Sequence, residues 1–173
     1  MRRCRLLPAV LLVVVAGCSD ERGGGRTPSP AEVADAVVRR VVDGDTLIAR
    51  IDGVDVRVRM LGVDAPESVT PDRPVECFGP EASARAHALL PEGTRVILAT
   101  DPTQSRRDRF GRLLAEVTRA GDARTVNERL VAEGYAEVFR GDGRGRLQPR
   151  LRAAERAALI GRLGLWRACR SGG

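Results

Sequence analysis

Three carboxylates and two arginines carry the chemistry that this sequence offers. Asp45 lies in "VVDGDT", Asp64 and Glu67 in "RMLGVDAPE", Arg59 at the head of that second segment, and Arg112 directly after "DRFG". Two converging carboxylates repel unless a cation or a proton sits between them. Oxygen-only donors suit a hard cation, Ca²⁺ or Mg²⁺, rather than zinc. With two guanidinium groups and a spare carboxylate, such a set has the parts to hydrolyse a phosphodiester. The positive charges stabilise a five-coordinate phosphorus, and the carboxylate takes a proton from water. No serine or histidine nucleophile is required, and the single histidine, His87, falls in an alanine-rich segment where a surface or boundary position suits it. Taken alone, "DGD" reads as a turn.

The elements that must position these groups show in the patterning. In "VDVRVRML", Val54, Val56, Val58 and Met60 alternate with Asp55, Arg57 and Arg59, as in a strand with one buried face. "AVVRRVVD" and "TLIARI" read as two preceding strands, and Asp52-Gly53 as a hairpin turn into the third. A loop from Gly62 to about Phe78 leads to a helix in "GPEASARAHALL", with proline near its first turn. Strands follow in "TRVILAT" and "RLLAEVTR", separated by the polar loop "DPTQSRRDRFG". "TVNERLVAEG" opens with a capping box, Thr125 and Glu128, and ends in glycine, which marks a second helix. A short strand, "YAEVF", a loop, "RGDGRGR", and a last helix, "QPRLRAAERAALIGR", complete the pattern. The loop is either a guide for a phosphate backbone or a solvated connection. The expected class is α+β, mainly β: a small barrel flanked by helices, which composition alone does not separate from other α+β folds.

The chain has 173 residues, a length for one compact domain. Residues 1–17 run from arginines through an apolar stretch to small residues before Cys18, the order of a secretory signal peptide. That stretch falls short of the roughly 20 apolar residues of a spanning helix. "VAGC" resembles the lipobox of bacterial lipoproteins, which implies cleavage before Cys18, lipid on its thiol and attachment to a membrane on the extracytoplasmic side; a plain leader cut slightly later is the other reading. Residues 18–35, rich in Gly, Pro, Ser and charge, read as a flexible tether, and 36–169 as the folded domain. Loss of Arg2, Arg3 and Arg5 with the leader takes the 29 basic residues to 26 against 23 acids, so the net charge of +6 becomes about +3. That permits an anionic partner without demanding one. Cys77 and Cys169 remain as an even pair in an oxidising compartment, read as a disulfide, with two free thiols as the alternative.

Six segments in order, "VVDGDT", "RMLGVDAPE", "CFGPEAS", "DRFGRLLAEV", "VNERLVAEGYAEV" and "LGLW", resemble the staphylococcal nuclease (thermonuclease) family. The resemblance implies an OB-fold five-stranded barrel with three helices. It also implies a monomeric Ca²⁺-dependent endonuclease that acts on DNA and RNA and leaves 3′-phosphate ends. By motif, Asp45 and Asp64 would be calcium carboxylates and Ala65 a backbone carbonyl ligand. Glu67 would be the general base or a water-ordering residue, and Arg59 and Arg112 the arginines of the transition state. Two positions depart from the family pattern. Phe110 stands where a phosphate-binding tyrosine is usual, and a base-stacking tyrosine is missing near Phe139 and Arg140, where Arg140 or Tyr135 are the candidates to stack instead. Two rival readings keep the barrel: a catalytically inactive nucleic-acid-binding module, and a lipoprotein that binds sugar or protein.

Overall fold

The computed structural model describes residues 33–68, 74–141 and 145–169. The leader, Cys18, most of the tether and the middle of "RGDGRGR" lie outside the described residues. Among the described residues, seven strands and four helices follow one another. They are β1 (Val33–Asp43), β2 (Thr46–Ile51), β3 (Val54–Met60), β4 (Val63–Asp64), α1 (Gly79–Leu89), β5 (Arg95–Ala99), β6 (Leu113–Arg119), α2 (Val126–Ala132), β7 (Glu137–Val138), α3 (Gln148–Ile160) and α4 (Leu165–Ala168).

Five strands close a barrel in the order β1-β2-β3-β6-β5, and β4 pairs with β7 as a separate two-stranded sheet. Asp52 (φ 47°) and Gly53 (φ 82°) both take the left-handed backbone of a two-residue hairpin turn, which matches the twist of β2 and β3. The resulting register sets Ile51 against Val54 and Thr46 against Arg59. β3 and β6 are the parallel pair of the barrel, with Arg59 opposite Leu114. Period-two alternation fills the interior: Leu47 and Ala49 from β2, Val58 and Met60 from β3, Val96 and Leu98 from β5, and Leu113, Ala115 and Val117 from β6 are all buried.

The helices cap this core. Leu130 and Val131 of α2 and Leu151 of α3 have no exposed surface, and α2 packs on α3 and on β6. Thr125 accepts a hydrogen bond from the Glu128 amide at 3.0 Å, the N-cap half of the expected box. The Glu128 carboxylate pairs with Arg124 (3.3 Å) and Arg150 (3.1 Å), and so ties α2 to α3. Cys77 and Cys169 form a disulfide with Cα atoms 5.9 Å apart, which joins the start of α1 to the end of α4.

The architecture is the expected OB-type barrel with three helices, and it differs in detail. β1 begins at Val33, inside the segment read as tether through residue 35, because Val33, Ala34 and Asp35 pair with Ala99, Leu98 and Ile97 of β5. A partner strand fixes backbone that composition alone assigns to a loop. "YAEVF" yields only two strand residues, and "LGLWRA" contributes the unexpected single turn α4. His87 is exposed on α1, as expected. No described helix is long and apolar enough to cross a membrane.

Candidate active site

The site begins at the β1–β2 turn. Met60 donates its amide to the Asp45 carbonyl at 2.8 Å, extending the β2–β3 ladder one step beyond Thr46 and Arg59. Asp45 therefore lies beside the end of β3, and the Arg59 side chain reaches its Oδ2 at 2.5 Å. This contact is an ion pair rather than an aligned hydrogen bond, since Arg59 Nη1 is buried without a partner of hydrogen-bond geometry. Arg59 Nη2 donates to Asp64 Oδ1 at 2.9 Å, so one guanidinium spans both acids. The Ala65 amide donates to Asp45 Oδ2 at 3.0 Å and draws the acid-bearing loop onto the turn. Gly44 permits that approach, because a Cβ there would stand 2.6 Å from the Ala65 Cβ.

The electrostatics of this corner are unbalanced. Partial desolvation by the surrounding protein pushes the Asp64 carboxyl above its usual value even though its side chain is 59% exposed, Arg59 pulls it down, and Asp45 and Glu76 add to the upward push. Asp64 also pairs through its backbone with Glu137 of β7, whose carboxyl is raised by burial and then by Glu155, Asp64 and Glu76, against the pull of Arg140.

Glu67 is held a step further along. Its amide donates to a Glu76 carboxylate oxygen at 3.0 Å and its carbonyl accepts from the Glu76 amide at 2.9 Å. Gly79 is again a close approach, since an added Cβ would meet the Glu67 carbonyl at 2.5 Å. The Glu67 side chain shares a hydrogen bond with Asp43, and such a bond between two carboxyl groups needs a proton on one of them. The Asp43 carboxyl is raised, first by burial and also by Glu67, while the Ser68 hydroxyl (2.6 Å) and the Gly44 amide (2.7 Å) favour its charged form.

Arg112 arrives from β6. Parallel register puts Leu114 beside Arg59, and Arg112, two residues earlier, shares its face. Asp108 fixes it, accepting Arg112 Nε at 2.6 Å and the Arg112 amide at 3.0 Å. Burial alone would raise the Asp108 carboxyl, but these bonds and that of the Phe110 amide hold it below its usual value. Gly111 (φ 77°) serves the turn itself. A Cβ there would meet nothing within 4 Å, so its positive φ and not a close approach is what calls for glycine.

Arg59 and Arg112 line one cavity of about 530 Å³, together with Phe110, Phe139 and Gln148. Phe110 is 68% exposed, with the Arg109 and Arg112 guanidinium carbons 4.7 and 5.5 Å from its ring centre. Tyr135 is not brought here: it packs on Phe78 with ring centres 5.4 Å apart and helps cover the core. Arg140 faces Glu137 at 3.9 Å and lines a neighbouring groove. Sequence reasoning missed Asp43, Glu76 and Asp108, the acids that hold the other site residues. Of these only Asp108 carried a local signal, its place in the turn "DRFGR". It also missed Asn127, fully buried, whose Oδ1 accepts from Val117 and whose Nδ2 donates to the Leu61 carbonyl, locking α2 to the end of β3.

Two acids tied through an arginine can hold a hard cation when further oxygens complete its shell. No group of three or more His, Cys, Asp or Glu able to hold a metal occurs among the described residues. Asp45 and Asp64 offer oxygen donors only, a type that suits a hard cation rather than zinc.

A closed five-stranded barrel in which two carboxylates pair with an arginine, and that arginine shares a cavity with a second one, is an arrangement suited to phosphodiester chemistry. Residues 57–168 match the staphylococcal nuclease homologue family model, more than half of the chain. The chain therefore belongs to the staphylococcal nuclease family of nucleases. It is 43% identical over 102 residues to a thermonuclease of Staphylococcus intermedius, covering 59% of this chain and 58% of that protein. Identity to a thermonuclease of Staphylococcus hyicus is 36% over 129 residues, 75% of this chain and 73% of the relative. Endonuclease YncB of Bacillus subtilis (strain 168) is 35% identical over 116 residues, 67% of this chain and 53% of the relative. The family match includes Arg59, Asp64, Glu67 and Arg112, while Asp45 precedes it.

Proposed function

We propose that the chain is a Ca²⁺-dependent endonuclease that hydrolyses DNA and RNA and leaves 3′-phosphate ends. The observation that carries this reading is the Arg59 guanidinium, paired with Asp45 and Asp64 on one side and lining a cavity shared with Arg112 on the other.

Asp45, Asp64 and the Ala65 carbonyl would hold Ca²⁺, which when bound supplies positive charge at the phosphate and acidifies a ligated water. Arg59 keeps N–H groups beyond its two carboxylate contacts, and Arg112 keeps its terminal nitrogens beyond Asp108. Both are donors for phosphate oxygens, and both complement the charge that grows at a five-coordinate phosphorus. Glu67 takes or orders a proton of the attacking water. The new phosphorus–oxygen bond forms as the bond to the 5′-oxygen breaks, and the phosphate stays on the 3′ side. The 5′-oxygen leaves with a solvent proton.

The disulfide favours an oxidising, extracytoplasmic compartment. A lipid at Cys18, outside the described residues, would tether the domain to a membrane, and the domain would act as a monomer.

One observation favours the non-catalytic binding module. Glu67 Oε1 accepts the Ser68 amide at 3.2 Å and its carboxyl meets Asp43, contacts that compete with an attacking water for the same oxygens. Digestion of plasmid and single-stranded DNA with and without Ca²⁺ separates the readings. Calcium-dependent cleavage arrested by chelator, with 3′-phosphate ends, supports the enzyme. Retention of DNA in a gel shift with no cleavage at any calcium concentration supports the module.

A further inference from the structure

Behind Phe139 the surface drops into a second groove of about 490 Å³, between β7, α3 and α4. Its walls include Phe139, Arg140, Arg152, Arg156, Leu159 and Trp166. Phe139, 49% exposed, is also a wall of the cavity that holds Arg59 and Arg112, so the two depressions share one aromatic partition. Arg152 and Arg156 stand one turn apart on α3, and residues so spaced project from the same face. Both are exposed, and neither meets a carboxylate in an ion pair among the described residues. Arg140 has an 83% exposed side chain and, among the described residues, a single ion pair, the 3.9 Å contact to Glu137. The acid of the groove, Glu155, is committed to its floor, where Oε1 accepts the Val138 amide at 2.7 Å.

Exposed guanidinium groups beside aromatic and aliphatic walls match a single-stranded nucleic acid, whose phosphates need cations and whose bases need flat apolar surfaces. We infer that this groove is an extension of the substrate path, in which the strand leaving the cavity passes Phe139 and lays its phosphates on Arg152 and Arg156. The inference rests on the nuclease reading and adds a subsite outside the reacting centre. It makes affinity grow with strand length, while the chemistry at the scissile bond stays independent of α3.

The test compares the full chain with the double variant Arg152→Ala, Arg156→Ala and with Arg152→Lys, Arg156→Lys, which keeps the charge. Fluorescence anisotropy measures binding of a long single strand of about 40 nucleotides, several OB-fold site lengths, and steady-state cleavage is followed on that strand and on a trinucleotide. The alanine pair should weaken binding of the long strand about tenfold at low salt. It should also flatten the slope of log affinity against log salt by about 1.4, two contacts at about 0.7 each. KM for the trinucleotide should not change, and the lysine pair should recover most of the loss. Equal losses on both substrates, or none on either, would overturn the subsite. So would unchanged DNA affinity with loss of binding to vesicles of anionic phospholipid, which would make the groove a membrane contact. If the unaltered chain binds the long strand without cleaving it, the catalytic reading fails and the anisotropy series still decides the groove. If it neither binds nor cleaves, both fall.

Discussion

The Arg59 guanidinium lies against the Asp45 carboxylate at 2.5 Å, with side-chain exposures of only 14% and 9%. Neither group can lose the other cheaply, because a charge withdrawn from water needs its counter-charge. Arg59→Ala should destabilise the domain by about 2–3 kcal/mol and depress kcat by about 10²- to 10³-fold. The double variant Asp45→Asn, Arg59→Ala should lose less stability than the sum of its two single variants while staying inactive. Urea denaturation and cleavage assays on the four proteins check this, and simple additivity of the two stability losses would show that the pair is not coupled.

Asp108 should act on turnover through Arg112 alone. Asp108→Asn keeps the size of the side chain but weakens a charge-assisted bond of 2.6 Å, which frees the arginine to sample other rotamers. A fall of about tenfold in kcat/KM is expected, with the fold retained. If Asp108→Asn leaves kcat/KM untouched while Arg112→Ala abolishes it, the aspartate has no positioning role.

Asp101 governs acid sensitivity at the far end of the same loop. It is 3% exposed, and burial alone would raise its carboxyl. The amide of Arg146 (2.7 Å) and the amide (2.8 Å) and hydroxyl (2.7 Å) of Thr103 outweigh burial and hold it below the usual carboxylate range. A carboxyl depressed in the folded state contributes stability that is complete above its unfolded value and is lost as pH falls through its folded one. The chain should therefore lose stability on acidification below about pH 4, and Asp101→Asn should be less stable at neutral pH and less steep in that window. Thermal melts from pH 7 to pH 2 measure both slopes. Parallel curves would exclude Asp101 as a source of the acid response.

The disulfide closes a sequence separation of 92 residues, and loops of that size correspond to about 4–5 kcal/mol in the chain-entropy model, with about 2–4 usual in practice. Reduction, or Cys77→Ser with Cys169→Ser, should lower unfolding stability by about that smaller amount. Because Glu76 precedes Cys77 and brackets the Glu67 backbone, activity should fall beyond what unfolding accounts for. Coincident denaturation midpoints with and without reductant would contradict the stability effect.

The pattern of the fold was legible where local physics decides it. Asp52-Gly53 specifies a hairpin because both residues tolerate positive φ, and Thr125 specifies a helix start because its hydroxyl meets an otherwise orphan amide. The alternation in β3 put Val54, Val56, Val58 and Met60 on one buried face; the closed barrel buries Val58 and Met60, while Val54, at the hairpin turn, is 64% exposed. Tyr135 shows the opposite case. Its aromatic type suits base stacking, and only the fold puts Phe78 beside it.

By itself the sequence determined which residues have the chemistry: three acids and two arginines close to strand ends, and an even pair of cysteines. Their convergence was a tertiary matter. Barrel closure sets β3 parallel to β6, which brings Arg112 onto the face of Arg59, and no spacing between residues 59 and 112 encodes that register. Gly44 likewise reads as a turn residue and Gly79 as the first residue of a helix, until the chain packs so tightly at both that no side chain fits. Local preference is written in neighbouring residues, whereas a site assembled from distant segments exists only once the barrel's apolar interior has chosen which strands lie side by side.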